Sequence, residues 1–210
     1  MQQHRRHARS EVVDTAAHLL DEYGIGDLTM RRLARELGVT PGALYWHFSD
    51  KQELLGAVAD RILGTAVRPA PGTRWSERIL ATGTALREAL LSSTDGAELV
   101  SATFASDTSR ALREIVAELV AAATDAGFDA TAAELAARTV VYYVLGFTAD
   151  EQSRLQWDAA GALPADQSLL TSNPNGRFGF GLKLLVDGMA AQRSSAGDDG
   201  VDPGVAVPAP

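Results

Sequence analysis

Residues 28–54, LTMRRLARELGVTPGALYWHFSDKQEL, start two helices with one tight turn between them, and no other stretch limits the fold as much. Leu33, Ala34 and Leu37 fall at i, i+3/i+4 spacing and form the inward stripe of a short helix. Thr29 is placed to be its N-cap, with Leu28 at N′ and Leu33 at N4 as a hydrophobic staple. Gly38 ends it, since the residue after a last helical turn commonly adopts positive φ. Thr40 then caps a second helix with Pro41 at its first position and a Val39/Leu44 staple. Two helices joined this way make a helix-turn-helix, whose second helix can enter the DNA major groove.

The remaining chain reads as helices that support this unit. Residues 1–9 form a basic arm, either a free terminus or a DNA contact. Residues 10–23 carry Val12, Val13, Ala16, Leu19, Leu20 and Tyr23 on one face, closed by Gly24. Ser49 with Gln52 reads as a capping box for a fourth helix bearing Leu54, Leu55, Val58 and Ile62. Residues 10–66 are therefore expected to be one domain, and 67–73, with Pro69, Pro71 and Gly72, a linker. A larger domain over 67–193 follows, with helices at 75–92 and 108–126, a short apolar piece at 97–105, and a Thr131/Glu134 capping box. Residues 153–175 read as a long loop with room for one helical turn, 178–189 as a helix, and 194–210 as a disordered tail by composition. No strand pattern survives. The expected fold is all-α.

Two segments, LAARTVVYYVLGF and 178–189, are apolar beyond a single stripe. Contributed by each of two subunits, they would bury one another as a four-helix bundle, with Val141, Val144, Leu145, Phe178, Leu182, Leu185 and Met189 at the contact. A single large monomeric core is the alternative.

Charge neither demands nor forbids a nucleic-acid partner. The chain of 210 residues carries a net charge of −8, yet Arg5, Arg6, Arg9, Arg31, Arg32, Arg35 and Lys51 all precede residue 55, and it is a local patch that binds phosphate. Cysteine is absent, which excludes disulfides and thiolate zinc sites and suits a reducing cytoplasm. No run of about 18 apolar residues suggests a membrane span. All four histidines lie in the first 50 residues, so neither a thiol nucleophile nor a Ser/His triad can be assembled in the larger domain. The chain does not read as an enzyme.

The run Leu44–Tyr45–Trp46–His47–Phe48, followed by Lys51 and Leu54–Leu55 and preceded by T-x-R-x-L-A-x-x-L-G-V from Thr29 to Val39, resembles the TetR family of bacterial transcriptional repressors. Asp95–Gly96–Ala97, Leu145–Gly146 with Glu151–Gln152, and Phe180–Gly181–Leu182 with Gly188 are similar to the tetracycline repressor branch. The resemblance implies a homodimer bound to a palindromic double-stranded operator. It assigns Arg31 to base reading, where its fork suits guanine O6 and N7. It assigns Tyr45 to backbone and base-methyl contacts, and His47 and Lys51 to phosphates. Thr29 and Thr40 head the two helices, the latter with backbone amides toward a phosphate. Pro41 and Gly42 fall at reading positions that differ from the tetracycline repressor's, which implies a different operator. Trp46 reads as a core or domain-packing residue.

In the larger domain the resemblance breaks down. Tetracycline repressors hold a magnesium–drug chelate with histidines, amides and a carboxylate, whereas the matching positions here include Gly64, Thr82, Leu86, Val100, Thr103, Phe104, Val116 and Asp150. The resemblance thus implies a metal-free, cofactor-free pocket for an apolar effector, lined by Thr82, Leu86, Val100, Thr103, Phe104, Val116 and Tyr142. A regulator without ligand, an activator, or a dimeric scaffold remain open at this point.

Overall fold

The structure is a computed structural model that describes residues 8–66, 73–162 and 173–198, the stretch 193–198 as backbone only. Nearly all of the expected linker, the middle of the expected 153–175 loop, and the arm and tail outside these bounds fall beyond the described residues. The described residues are helical, without strands: α1 Arg9–Tyr23, α2 Met30–Glu36, α3 Pro41–Leu44, α4 Lys51–Leu63, α5 Trp75–Leu91, α6 Gly96–Ser106, α7 Arg110–Asp125, α8 Ala130–Ala159 and α9 Pro174–Asp198, with a 3₁₀ turn at Ile25–Asp27.

Local chemistry sets the first three helices. The Thr29 hydroxyl accepts from Arg32 N–H at 3.1 Å. Leu28 and Leu33 are both fully buried, as the staple requires. Gly38, at φ +65, closes α2 with two bonds: Gly38 N–H to Arg35 O and Val39 N–H to Ala34 O. The second helix is shorter than its pattern suggests. After Leu44 it tightens, with both His47 and Phe48 N–H donating to Leu44 O. Val12, Leu19, Leu20, Leu33, Leu44, Phe48 and Val58 form the core beneath.

α4 runs from this domain into the larger one, packing on α6 and α7. Its Asp60 carboxylate accepts from Ser109 Oγ–H (2.7 Å) and Ala111 N–H (2.8 Å) at the start of α7. In the larger domain α5 packs on α7, α8 and α9, and α8 lies along α7. Among these apolar contacts sits one buried ion pair. Arg87 of α5 donates twice to Glu151 of α8, at 2.9 and 2.6 Å, and once to Asn175 of α9 at 2.9 Å. Its guanidinium also lies over the Phe178 ring.

Several expectations are corrected. Asp50 rather than Ser49 caps α4, accepting from Glu53 N–H, and the Glu53 carboxylate reaches back to Ser49 N–H. Asp129 rather than Thr131 caps α8. Both helices therefore start closer to the stronger, charged acceptor. α8 continues through 153–159, which was expected to be loop; Gly161, at φ +66, is its terminator. α9 likewise extends to Asp198, into the expected tail. Arg9, assigned to the arm, is the first residue of α1.

The expected dimer-contact residues are also corrected. Val141, Val144, Leu145, Phe178, Leu182 and Met189 are buried within the chain itself, and Leu185 is half-buried against the same core. α8 and α9 each have two apolar faces, and these residues occupy the inner one.

Candidate nucleic-acid interface

Leu44 and Phe48, four residues apart, point into the core and pin the α3 turn to the domain. The residues between them must therefore point outward. Tyr45 is 53% exposed and Trp46 is 90% exposed, so Trp46 is not the packing residue its chemistry suggested. Thr29, Thr40, Pro41 and Gly42 are exposed as well, and His47 is half-buried.

The basic residues divide into two groups. Arg32 pairs with Asp27 at 2.6 Å and lies over the Tyr23 ring at 3.8 Å. Arg9 pairs with Glu53 and lies over the Phe48 ring at 4.5 Å, and Arg61 pairs with Asp14. These three hold the domain together. Arg31, Arg35 and Lys51 are exposed and, among the described residues, make no side-chain hydrogen bond or ion pair. Arg31 and Arg35, one helical turn apart on α2, present two charges without partners among the described residues, and α2 packs on α3, which leads into the exposed Tyr45. Sequence reasoning counted Arg35 among the basic residues but gave it no role at the site, although its i+4 spacing from Arg31 was the available signal. Free guanidinium forks and an ammonium beside exposed aromatics can grip phosphates and read base edges.

Glu53 steadies this surface from below. Hydrogen bonds from Ser49, with help from Arg9, hold its carboxyl below its ordinary value. A depressed carboxylate adds stability above the ordinary carboxylate range, and that contribution disappears as pH falls through the lowered pKa. Glu53→Gln should therefore melt below wild type at pH 7. The gap should close as both proteins are acidified, and a gap that stays constant with pH would contradict this role.

Against this geometry, the description "Bacterial regulatory proteins, tetR family" matches residues 12–58, and "Tetracyclin repressor-like, C-terminal domain" matches residues 68–166. The class A tetracycline repressor of Escherichia coli transposon 1721 is 31% identical over 201 residues, covering 87% of this chain and 90% of that protein. The chain belongs to the tetR family. It is a DNA-binding transcriptional regulator. Among solved structures, BioQ of Mycobacterium smegmatis is 59% identical with a TM-score of 0.82, covering 88% of this chain and 98% of that one. A structure of BioQ with its natural double-stranded DNA operator is 56% identical, with a TM-score of 0.77 over 88% and 99% of the two chains.

The residues expected to line an effector pocket in the larger domain do not share one cavity. Thr103, Phe104 and Val116 lie at a cavity of about 740 Å³ between α6, α7 and α8, together with Leu112, Val120 and Arg138. The fully buried Thr103 hydroxyl already donates to Val100 O. Tyr142 is mostly exposed and meets Phe104 edge-on, with ring centroids 5.4 Å apart. Leu86 and Val100 are fully buried and line neither cavity.

Thr82 instead lines a cavity of about 420 Å³ under the end of α4, with Leu63, Gly64 and Ile115. It is 6% exposed, and its Oγ1 has no partner among the described residues. Thr82→Val should therefore cost nothing and add up to about 1 kcal/mol, because a buried hydroxyl without a partner keeps its desolvation cost. Chemical denaturation tests this, and a destabilised variant would mean that the hydroxyl is satisfied. Among the described residues, no group of three or more acidic or histidine side chains could hold a metal. No helix there is long and apolar enough to cross a membrane.

Proposed function

We propose that the chain is a homodimeric repressor that sits on a palindromic double-stranded operator and is released by a largely apolar effector. The observation that carries the DNA part is that Arg31 and Arg35 of α2, Tyr45 at the end of α3 and Lys51 at the start of α4 are all exposed, the three cations without partners among the described residues. Arg31 and Tyr45 read bases there. Thr29, Thr40, His47 and Lys51 face phosphates, and Pro41 and Gly42 let the backbone approach the groove. The similarity to BioQ, which was solved with its operator, supports the same use.

The dimer would use the outer faces of α8 and α9. Leu135, Tyr142 and Trp157 recur with Thr139, Gly146 and Ser153 as one exposed stripe along α8, and Phe180 and Leu184 continue on α9 toward Gly188. Large apolar side chains exposed at helical spacing are suited to a second copy, and the glycines let the helices approach closely. The two reading surfaces would then fall in successive major grooves, about 34–36 Å apart.

The effector would occupy the α6–α7–α8 cavity. Its volume suits a small molecule; Phe104, Leu112, Val116 and Val120 offer apolar contact, and Asp107, Arg113, Glu134 and Arg138 supply polar groups to orient the ligand. Release requires the effector to bind the DNA-incompetent arrangement more tightly.

The test is selection of genomic fragments followed by a mobility-shift assay across salt concentrations, with sedimentation equilibrium on the free protein. A selected palindrome that outcompetes random duplex, together with a mass twice that of one chain, is the expected result. Equal competition by random duplex would overturn operator recognition, and a monomeric mass would overturn the dimer.

A further inference from the structure

We propose that Thr94 and Asp95, in the α5–α6 loop, are positioning residues for DNA reading: they form a bracket that sets the angle of the helix-turn-helix domain on the larger domain. The inference deepens the operator-binding reading and rests on it.

Asp95 stands at the N-cap position of α6, where an aspartate ordinarily accepts from the helix's own first amides. It makes no such bond. Its backbone is left-handed, at φ +53, and both carboxylate oxygens point away from α6. Oδ2 accepts from Ile25 N–H at 3.0 Å, in the turn that follows α1. Oδ1 accepts from Gln156 Nε2–H at 2.6 Å, on α8.

The capping that Asp95 forgoes is supplied by α8. Gln152 Oε1 accepts from Ala97 N–H at 3.0 Å, while its Nε2 donates to Leu90 O and Ser93 O. One turn of α8 thus clamps the loop from both ends. Thr94 completes the contact: its N–H donates to Asp21 Oδ1 at 3.1 Å, and its hydroxyl donates to Asp21 O at 3.0 Å. Asp21 O belongs to the last turn of α1, where carbonyls lack partners within the helix. The larger domain therefore caps the scaffold helix of the reading domain.

Gly24 makes the fit specific. A Cβ at this position would lie 2.7 Å from Asp95 Oδ2, and its φ of +76 already disfavours other residues. From the bracket a short path leads to the reading surface. Asp27, at the end of the same turn, pairs with Arg32, the neighbour of Arg31 on α2.

α4, packed on α6 and α7 and held by Asp60 to the start of α7, also ties the domains together. The bracket adds an attachment on α1, which restricts the angle further. In a dimer, that angle sets which spacing of half-sites both reading surfaces can reach at once.

The experiment compares affinity for a selected operator with affinity for the same operator carrying one inserted central base pair. The proteins are wild type, Asp95→Gly with Thr94→Ala, and Gln156→Met. Glycine keeps the left-handed backbone of residue 95, and Gln156 is an exposed surface residue, so one variant remains informative if the other fails to fold. Wild type is expected to prefer the native spacing by an amount typical of coupled sites, about 5- to 150-fold. The variants should still bind while the preference falls to about twofold, a change that loss of stability alone would not produce. Unchanged preference in a folded variant, or no preference in wild type, would overturn the bracket. Failure of wild type to bind any selected duplex would instead overturn the operator-binding reading itself.

Discussion

Glu151→Ala is expected to destabilise the protein by about 3–5 kcal/mol, the usual cost of removing one partner from a buried ion pair. The size follows from what remains. Arg87 is 5% exposed and would keep a full charge among apolar helices, with the Asn175 amide and the Phe178 ring as its neighbours in place of a carboxylate. Against a total stability of about 5–15 kcal/mol, this is a large fraction. The pair joins α5, α8 and α9, so the loss should appear as a lower denaturation midpoint of the larger domain. Replacing both partners, Arg87→Met with Glu151→Leu, should recover most of the loss, because it removes the buried charge instead of stranding it. A single variant within about 0.5 kcal/mol of wild type, the range of ordinary surface changes, would mean that water reaches Arg87.

Arg31→Ala is expected to weaken operator binding by about 1–3 kcal/mol, roughly 5- to 150-fold, while leaving the melting temperature unchanged. The effect should concentrate at one base step, since a bidentate arginine–guanine contact discriminates there and not along the backbone. Its neighbour provides the contrast. Arg32→Ala removes the Asp27 pair and the stack on Tyr23, so it should lower stability by about 1 kcal/mol or less and affect DNA mainly through that loss. Lys51→Ala should weaken all duplexes alike and reduce the log–log salt slope by about 1. Equal losses at every base position for Arg31→Ala would place that arginine on phosphate instead.

The reading domain was the most legible part of the chain because its signals are local. Thr29, Gly38, Thr40 and Pro41 act on backbone within one turn of themselves; the structure uses Thr29, Gly38 and Pro41 as expected, and Thr40 stands at the cap position without a side-chain capping bond. The errors nearby are one- and two-residue slips. Ser49–Gln52 and Asp50–Glu53 both satisfy the capping-box pattern, and only the folded backbone shows that Asp50 is the cap. Trp46 was misplaced by its chemistry, although Leu44 and Phe48 had already used the inward face.

Farther along the chain, periodicity stops being sufficient. It identified α8 and α9 as apolar on more than one side but could not say which side faces inward, since hydrophobicity around the helix is nearly even. Val141, Leu145, Phe178 and Leu182 are buried because α5 and the packing of α8 on α9 cover them; Tyr142, Phe180 and Leu184 are exposed because none of the described residues covers them. The expected effector residues divided for the same reason: α7 stands between the cavity at Thr82 and the cavity at Phe104.

The sequence alone therefore determined the all-α class and the helix-turn-helix, because capping, turn formation and amphipathic spacing act over a few residues. Only the tertiary structure decided which arginines are left free, which faces of α8 and α9 remain uncovered, and that Asp95 serves a turn seventy residues earlier in the chain. Those outcomes depend on which partners the fold brings within hydrogen-bonding reach, and spacing along the chain carries no information about that.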